Sequence, residues 1–498
     1  MSSLFAKKPL ASALADAEKS GTKRVLGPWA LTALGIGGII GAGIFVATGE
    51  AAKTRAGPAL IVSYLLAGFV CALAALCYAE FAAMTPVSGS AYTYAYTTLG
   101  ELFAWIIGWD LILEYAVAGA AVATGWSGYF SSFLSLFPAE WGLTVPQAIN
   151  ASPLAYKEGE FVLTSSYINL PAVIIVLILT AILVKGIRES SHVNALLVAI
   201  KVGAVVFVIL VGLWFINPAN WVPFAPYGWT GINFFGYEVH GQHTAKGAPL
   251  GMIAGSAIIF FAYIGFDAVS TQAEEAKNPQ RDMPIGIIGS LVICTILYVG
   301  VVVVLTGMVK YDKLDDKAAV AEAFAQVGLP WAKALITPAA LAGLTSVVLV
   351  SLLGSSRVLM AMSRDGLLPQ FFSAIHPSLG TPWKGTMVVG VGVALMAGLL
   401  PLDALLELTN IGTLFAFAVV CGAVLVMRYT HPDTPRPFRA PLVPFVPVLG
   451  ILCCVLLMLS LPAQNWYRLF GWMALGLTIY SLYGRRHSLL GRQGPPTV

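Results

Sequence analysis

The chain has 498 residues, of which 58% are hydrophobic and only 10% are charged. A soluble protein carries about 25% charged residues, so this composition excludes a large soluble domain and predicts a polytopic membrane protein. The formal net charge of +4 is modest. It suits cytoplasmic loops that face anionic lipid and gives no indication of a nucleic-acid partner.

The N-terminal arm, residues 1–27, is charged and polar and lacks the short apolar core of a cleavable signal peptide. The apolar runs after it are long enough to cross a bilayer, because a hydrocarbon core of about 30 Å needs roughly 20 helical residues. One membrane domain is predicted over residues 28–484, followed by a cytoplasmic tail at 485–498. Twelve spans are predicted, at residues 25–49, 56–79, 103–133, 161–184, 192–216, 249–272, 283–309, 334–356, 385–402, 408–427, 442–461 and 466–483.

The distribution of lysine and arginine predicts the orientation of these spans. With the N-terminus placed in the cytoplasm, eighteen of the 28 basic residues fall on the cytoplasmic side and nine on the outer side, while Lys201 lies inside a span. This bias follows the positive-inside rule. We therefore expect a multi-pass protein of the cell (inner or plasma) membrane with both termini in the cytoplasm.

The first span contains an unusual stretch, LGIGGIIGAGIFVATG, with six glycines in sixteen residues. Glycine costs roughly 1 kcal/mol against alanine in a helix interior, so this stretch predicts either close helix packing or a break. A second interrupted span, containing Gly265 and Asp267, follows five helices later. An odd number of helices inverts the second copy of a repeat. This favours a break in each half, with repeat one at about 28–216, repeat two at about 249–430 and extra helices at about 442–484.

A helix break at membrane depth is tolerated where the chain lines a cavity or is buried in protein. It frees N–H groups at the start of one half-helix and C=O groups at the end of the other. The N–H end suits a carboxylate, whereas the C=O end suits an ammonium group or a cation. Two such breaks therefore predict recognition of a zwitterion, which is the part common to all amino acids.

Five stretches of the chain carry a family resemblance. They are IIGAGIFVATGEAA, CALAALCYAEFAAMTPVSGSAYTYAY, GELFAWIIGWDLILEYAV, FFAYIGFDAVSTQAEEAKNPQRDMPIGI and AMSRDGLLP. They resemble the amino acid–polyamine–organocation superfamily and, within it, bacterial members of the cationic amino acid transporter family. The resemblance implies an all-α membrane protein with the leucine-transporter-type fold, in which two inverted five-helix repeats and two extra helices make twelve transmembrane helices. It also implies amino acid transport by alternating access, often coupled to protons. We expect an importer that uses the proton as coupling ion and needs no cofactor.

The resemblance further implies which residues bind the substrate. At the first break, the N–H groups of Gly41, Ala42 and Gly43 receive the carboxylate, and the carbonyl of Ile40 receives the α-ammonium group. Carbonyls near Phe260, Ala262 and Ile264 complete the ammonium site, and Phe260 is also expected to form an aromatic gate over the substrate. The residues assigned to the two breaks are Ile40, Gly41, Ala42, Gly43 and Ile44 in the first span and Phe260, Ala262, Tyr263, Ile264 and Gly265 in the second.

Lys201 is notable because it places a basic side chain inside the predicted span 192–216. If the fifth helix begins near His192, a rise of 1.5 Å per residue places Lys201 about 13.5 Å deep, too far for its ammonium group to reach the interface easily. Such a lysine must pair, bind backbone oxygens or lose its proton. It is either a structural lysine held on carbonyls or a proton carrier that stabilises the first helix when charged. The resemblance favours proton coupling, because a lysine at this position replaces the sodium ion of sodium-coupled relatives.

Three further residues bear on the side chain of the substrate. Asp110 and Glu114 lie four residues apart on one helical face. Glu114 is expected either to bond a neighbouring helix or to attract a cationic side chain and take part in proton transfer. Ser351 is expected to face the substrate side chain, where a small residue leaves room for a longer substrate. These features favour arginine, lysine or ornithine, with small neutral amino acids such as alanine as the alternative.

We expect a transporter rather than an enzyme, because the sequence has no H-E-x-x-H motif or other metal-binding cluster. Its six cysteines lie in apolar runs, which is typical of buried hydrophobic residues rather than disulfides or metal ligands. The expected partners are the amino acid and membrane lipids; a small membrane partner and a homo-oligomer are both compatible with the sequence. An exchanger without net proton coupling and an amino acid sensor with little transport are the alternative functions.

Overall fold

The computed structural model describes residues 4–9, 24–85, 87, 90–157, 160–185, 191–235, 237–245, 247–316, 318–379 and 381–492. Most of the predicted N-terminal arm and the end of the predicted tail lie outside the described residues. The helices are α1 (Pro28–Ile39), α2 (Thr48–Ala51), α3 (Leu60–Met84), α4 (Ser90–Thr98), α5 (Glu101–Leu134), α6 (Leu170–Lys185), α7 (Ser191–Gly212), α8 (Met252–Ile259), α9 (Pro279–Met308), α10 (Ala319–Gln326), α11 (Pro330–Arg364), α12 (Trp383–Leu399), α13 (Leu402–Thr430), α14 (Phe445–Leu459), α15 (Ala463–Ile479), α16 (Arg485–His487) and α17 (Leu489–Arg492).

The strands form two small antiparallel hairpins within long connections. Strand β1 (Leu154–Lys157) pairs with β2 (Glu160–Leu163), and β3 (Gly231–Phe234) pairs with β4 (Tyr237–Gly241). The first hairpin lies between α5 and α6, and the second lies between α7 and α8.

The described chain contains seven helical segments that are long and apolar enough to cross a membrane, or eight if the bent pair α14–α15 forms one span. The helix axis bends by 114° between the two members of that pair. Three shorter apolar helices, α1, α6 and α12, accompany them. Each of the twelve predicted spans overlaps a described helix, but length and composition alone support seven or eight crossings. The chain is therefore a multi-pass membrane protein, and the number twelve stays a prediction.

The two longest helices, α5 and α11, pack along each other at the centre of the molecule. Helix α13 packs on the other side of α5, and α9 packs against α1 and α3. At the edge, the indoles of Trp109 and Trp472 stack at 4.4 Å, and each N–H group donates to the other residue's backbone carbonyl, at 2.9 and 3.1 Å. Gly476 is needed beside them, because a Cβ there would lie 2.4 Å from the Trp109 ring. These contacts attach α15 to α5.

A buried ion cluster ties the end of α3 to the end of α13. Glu80, 2% exposed, accepts two hydrogen bonds from Arg428, at 2.9 and 2.7 Å, and one from the backbone N–H of Ala440, at 2.8 Å. Nε of Arg436 lies 3.3 Å from the same carboxylate. The carboxylate therefore organises the connection that leads from α13 to α14.

Replacing Glu80 with alanine is expected to lower the free energy of unfolding by about 3 kcal/mol, because it leaves two arginines and a backbone N–H group without their buried acceptor. The melting temperature of the detergent-solubilised protein measures the effect. Asp312→Ala is the control, since it breaks an exposed pair with Lys310 at 3.9 Å that is worth less than about 1 kcal/mol. Equal melting temperatures for the two variants would contradict this role of Glu80.

Candidate substrate site

The first span leaves helical geometry immediately after Ile39. Ile40 has an extended backbone, with φ −70° and ψ 101°, and a wide π-helical turn begins at Gly43 (Gly43–Ala47). The first N–H groups of any helical segment have no acceptor within that segment. The structure therefore interrupts the span within the glycine-rich stretch, and the first N–H groups of the second half-helix have no acceptor within that half-helix.

The second interrupted span changes its conformation over a longer stretch. Helix α8 is followed by a 3₁₀ turn (Phe260–Tyr263), then by extended Ile264, and then by Gly265 at φ +122°. Residues with side chains rarely adopt this φ, so glycine is required here. The carboxylate of Asp267 links the second interruption to α5. Its Oδ1 accepts a hydrogen bond from the N–H of Gly265 at 3.1 Å, and its Oδ2 accepts one from the hydroxyl of Tyr115 at 2.6 Å.

The two interruptions lie in direct backbone contact. A Cβ on Gly265 would lie 2.7 Å from the carbonyl carbon of Gly38, and a Cβ on Gly43 would lie 2.2 Å from the Cα of Ala262. Side chains cannot be accommodated at such distances. Glycine at these positions therefore allows the two broken helices to meet.

Lys201 binds the end of the first half-helix. Its side chain is 1% exposed, and its Nζ donates to the carbonyl of Gly37 at 2.7 Å and to that of Ile40 at 3.2 Å. No carboxylate among the described residues lies within ion-pair distance of it. Gly343 on α11 leaves room for its stem, since a Cβ there would lie 3.3 Å from it. The ammonium group thus caps carbonyls that have lost their helical partners.

Tyrosine hydroxyls bind other backbone carbonyls at the breaks. Tyr298 lies 2.7 Å from the carbonyl oxygen of Ile39 and 3.0 Å from that of Ala262. The hydroxyl of Tyr64 lies 3.0 Å from the carbonyl oxygen of Gly43. Two carbonyls predicted to bind the substrate ammonium group, those of Ile40 and Ala262, therefore bond to side chains in this structure.

A closed cavity of about 30 Å³ lies between the two interruptions and the central helices. This volume holds a water molecule or two, not an amino acid. Its lining residues are mostly glycine, aliphatic or aromatic: Gly38, Ile39, Gly41, Ala42, Gly43, Tyr115, Ala118, Val122, Phe261, Ile264, Gly265, Ala268, Val347, Val350 and Ser351.

The structure brings some of the predicted site residues to this cavity and leaves others behind it. Gly41, Ala42, Gly43, Ile264, Gly265 and Ser351 line the cavity. Ile40, Ile44, Ala262 and Tyr263 lie in the interruptions but do not line it. Phe260, the predicted gate, is fully buried with its ring 5.6 Å from that of Phe417, and its neighbour Phe261 borders the cavity instead.

Sequence reasoning missed the lining that α5 contributes and identified only Ser351 among the lining residues of α11. Tyr115, Ala118 and Val122 form one face of α5, and Val347 and Val350 lie next to Ser351 on α11. Spacings of three and four residues could have identified these faces. Choosing the correct face of an apolar membrane helix requires its packing partners.

Glu114 lies behind the cavity rather than on it. Glu114 and Asp110 are both buried, at 1% and 0% exposure, and none of the described residues donates a hydrogen bond to their carboxyl oxygens. A Cβ on Gly412 of α13 would lie 3.0 Å from Oδ1 of Asp110. The two carboxyl groups therefore face the α5–α13 interface.

A second, larger cavity of about 980 Å³ opens at the end of the molecule that carries the hairpins. Its charged lining residues are Glu50, Lys53, Arg55, Asp316, Asp403 and Glu407. Val46 and Gly125 line this cavity, while Ala42 and Val122, one helical turn away, line the small one. A Cβ on Gly125 would lie 2.9 Å from the Val46 side chain. A single layer of side chains thus separates the two cavities.

Backbone hydrogen bonds join two segments of the chain near the start of α1. The N–H groups of Val25 and Leu26 both donate to the carbonyl of Glu275 at 2.9 Å, and the N–H of Lys277 donates to the carbonyl of Leu26 at 2.8 Å. These bonds join the segment before α1 to the segment before α9. The wide cavity thus opens at the end with the hairpins, and the backbone bonds of Leu26 hold two segments together away from it.

These features define a multi-pass membrane protein whose two interrupted helices enclose a central cavity. Residues 26–479 match the family model described as amino acid permease. The chain belongs to this family, within the amino acid–polyamine–organocation superfamily, which confirms the resemblance found in its motifs. It is a transport protein and not an enzyme.

Relatives with assigned functions match over most or all of the chain. The chain is 45% identical over 492 residues to a methylthioribose transporter of Bacillus subtilis, covering 99% of this chain and 100% of that protein. It is 46% identical over 493 residues to the branched-chain amino acid permease BcaP of the same species, covering 98% and 99%. Its identity to cationic amino acid transporter 4, vacuolar, of Arabidopsis thaliana is 40% over 403 residues, which covers 81% of this chain and 63% of that protein.

Proposed function

We propose that this protein imports neutral amino acids with apolar side chains across the cell membrane by proton symport. The apolar cavity between the two helix interruptions is the observation that carries this proposal. The proposal includes the leucine-transporter-type arrangement of twelve spans in two inverted repeats plus two extra helices, with both termini in the cytoplasm.

Backbone groups at the first interruption supply the recognition of an amino acid. The N–H groups of Gly41, Ala42 and Gly43 lie at the start of a half-helix, where a carboxylate is favoured. The carbonyls of Ile40, Ala262 and Ile264 remain candidates for the ammonium group, because a carbonyl oxygen has two lone pairs. A carbonyl already bonded to Lys201 or Tyr298 can therefore accept a second bond.

The lining of the cavity favours an apolar side chain on the substrate. No charged side chain of the described residues borders it. A cationic side chain would be a buried charge without a carboxylate partner, and such a charge is strongly destabilising. Glu114, the residue predicted to attract a cationic side chain, lies outside the lining. We therefore propose aliphatic amino acids, of the branched-chain kind named for one relative, before arginine, lysine or ornithine.

Lys201 is the proposed site of the coupling proton. It is buried, and the partners of its ammonium group are the carbonyls of Gly37 and Ile40. The charged form binds these carbonyls more strongly than the neutral amine does, since charge-assisted hydrogen bonds are the stronger ones. Protonation therefore stabilises the end of α1, and loss of the proton weakens its attachment to α7.

The proposed transport mechanism is alternating access, in which each end of the molecule opens in turn. The cavity of about 980 Å³ is the proposed outer entrance, and the bonds between Leu26 and residues 275–277 are the proposed inner closure. The closed cavity of about 30 Å³ must expand to admit a substrate. Movement of the two interrupted helices against α5 and α11 provides that space.

A competition panel in proteoliposomes tests this function. Purified protein is reconstituted, and uptake of labelled leucine is measured with and without an imposed proton gradient in the presence of isoleucine, valine, alanine, arginine, lysine or methylthioribose. We expect the gradient to drive accumulation, and the branched-chain amino acids to compete best. Strong competition by arginine and lysine alone would reject the apolar class. Uptake that requires internal amino acid and ignores the gradient would indicate an exchanger, and binding without uptake a sensor.

Replacing Ser351 with valine is expected to change which substrate is preferred. Ser351 borders the cavity. On its other side it packs closely on α5, because a Cβ built on Gly119 would lie 3.2 Å from the Cβ of Ser351. The added methyl groups of valine are therefore expected to enter the cavity. The apparent affinity for leucine and isoleucine should fall about tenfold, while that for alanine changes less than about threefold. Ser346→Val on the same helix is the control, because Ser346 does not border the cavity. An equal loss for all substrates would contradict a role in side-chain selection.

A further inference from the structure

Tyr298 contacts the backbone of both interrupted helices through one hydroxyl. It lies on α9 and is fully buried. Its oxygen lies 2.7 Å from the carbonyl oxygen of Ile39, the last residue of α1, and 3.0 Å from that of Ala262, in the turn after α8. A side chain on a third helix thus joins the two interruptions at their point of contact.

The hydroxyl has a single proton for these two acceptors. At any moment it donates its proton to the carbonyl of Ile39 or to that of Ala262. In the closed arrangement, one of these two carbonyls therefore lacks this donor. A buried acceptor without a donor costs about 1–3 kcal/mol. If the two interruptions separate, the carbonyl that moves away from Tyr298 loses its share of this donor. The shared proton therefore holds the interruptions together without locking them.

The ring of Tyr298 is held in place by its neighbours. The rings of Tyr64 and Tyr263 pack nearly edge-on against it, with centroids 5.7 and 5.5 Å away. The hydroxyl of Tyr263 donates to the backbone carbonyl of Tyr64 at 2.8 Å, which ties this aromatic group to α3. Tyr263 belongs to the second interruption and Tyr64 to α3, so we expect opening to move Ile39 away from Tyr298 while the ring stays against these neighbours.

Lys201 and Tyr298 hold the same turn of α1 from different helices. Lys201 on α7 binds the carbonyls of Gly37 and Ile40, and Tyr298 on α9 binds the carbonyl of Ile39 between them. Of these two side chains, Tyr298 also reaches the second interruption. A displacement of the end of α1 is therefore transmitted to the backbone of Ala262 through this hydroxyl.

We propose that Tyr298 is a positioning residue that keeps the two interruptions together in this arrangement and releases Ile39 when the cavity opens. This inference rests on the alternating access of the proposed function. It assigns a role in conformational coupling to a residue outside the cavity lining and outside the two interrupted helices.

The rate of cysteine labelling at position 268 tests this role. Ala268 borders the cavity and is 7% exposed, so a cysteine there is labelled by a water-soluble maleimide only when the cavity opens. The Ala268→Cys protein, with its six native cysteines replaced, is labelled in detergent solution with and without Tyr298→Phe. We expect the loss of the hydroxyl to raise the labelling rate about tenfold, the effect of one hydrogen bond that stabilises the closed form.

Tyr129→Phe is the matched control. It also removes a buried tyrosine hydroxyl that donates to the first interrupted span, at 2.9 Å from the carbonyl of Phe45. That hydroxyl makes no contact with the described backbone of the second interruption, so the labelling rate should stay within about twofold of the parent. An unchanged rate for Tyr298→Phe, or an equal rise for Tyr129→Phe, would overturn the proposal.

A donor restored at position 298 gives an independent measurement if the phenylalanine variant does not fold. Para-aminophenylalanine at this position offers two N–H groups, one for each carbonyl, and should make labelling no faster than in the parent protein. A faster rate would overturn the proposal. Labelling depends neither on the identity of the substrate nor on a proton gradient, so this test can succeed or fail separately from the transport assays.

Discussion

Replacing Lys201 with alanine is expected to abolish accumulation of substrate against a gradient. The substitution removes the proposed proton site and leaves the buried carbonyls of Gly37 and Ile40 without a donor. An unpaired buried acceptor costs about 1–3 kcal/mol, so the closed arrangement of the first interruption is destabilised as well. Uptake of labelled leucine into proteoliposomes with an imposed proton gradient should fall to the level of protein-free liposomes.

Two measurements separate the coupling role of Lys201 from a purely structural one. Exchange of internal for external substrate without a gradient should persist in Lys201→Ala, at a reduced rate, because exchange needs no net proton movement. Lys185→Ala removes an exposed lysine at the end of α6 and should retain the uptake of the native protein. Undiminished accumulation by Lys201→Ala would refute proton coupling through this residue. Loss of both accumulation and exchange would point to a structural lysine held on carbonyls.

Replacing Gly43 with leucine is expected to abolish binding of every substrate alike. A Cβ at this position would lie 2.2 Å from the Cα of Ala262 and 3.1 Å from its backbone nitrogen. Backbone atoms of the second interruption would have to move, and forcing side chains into such tight packing costs about 1–3 kcal/mol or more. Because the two interruptions supply the groups proposed to bind the amino acid backbone, affinity should fall at least about tenfold for all substrates.

Binding of several labelled amino acids to the purified protein measures this effect. Gly203→Leu is the matched control, because a Cβ at Gly203 would have nothing within 4 Å, and its affinities should equal those of the native protein. A loss confined to the larger substrates would show that Gly43 shapes the side-chain pocket instead. Ser351→Val is expected to give that selective pattern, so the two positions can be compared in one panel.

The helices and the position of the interruptions are close to what the sequence predicts, for a simple physical reason. Uninterrupted backbone at membrane depth must be helical, so an apolar run of sufficient length has one available conformation. Glycine weakens that conformation locally, and the chain leaves it at Ile40 and again at Ile264. Composition and glycine placement are local properties, and they act before any contact between helices forms.

The residues that border the cavity depend on rotation about each helix axis. Phe260 and Phe261 are neighbours in the chain, yet the 3₁₀ turn at 260–263 points Phe261 to the cavity and Phe260 to Phe417. Side chains of successive residues in such a turn point in directions about 120° apart. Of two neighbouring residues, one can therefore border the cavity while the other packs against a helix. On α5, Tyr115 borders the cavity, whereas its neighbour Glu114 does not.

The sequence by itself determined that the chain is a polytopic membrane protein, that two of its helices are interrupted, and that the interruptions favour a zwitterion. These conclusions follow from composition, from the length of apolar runs and from the chemistry of exposed backbone groups. Tertiary structure alone decided that the cavity is apolar, that Glu114 lies behind it, and that Tyr298 lies between Ile39 and Ala262. Tyr298 and Ile39 are 259 positions apart in the chain, and a contact over such a distance exists only once α9 has packed against α1.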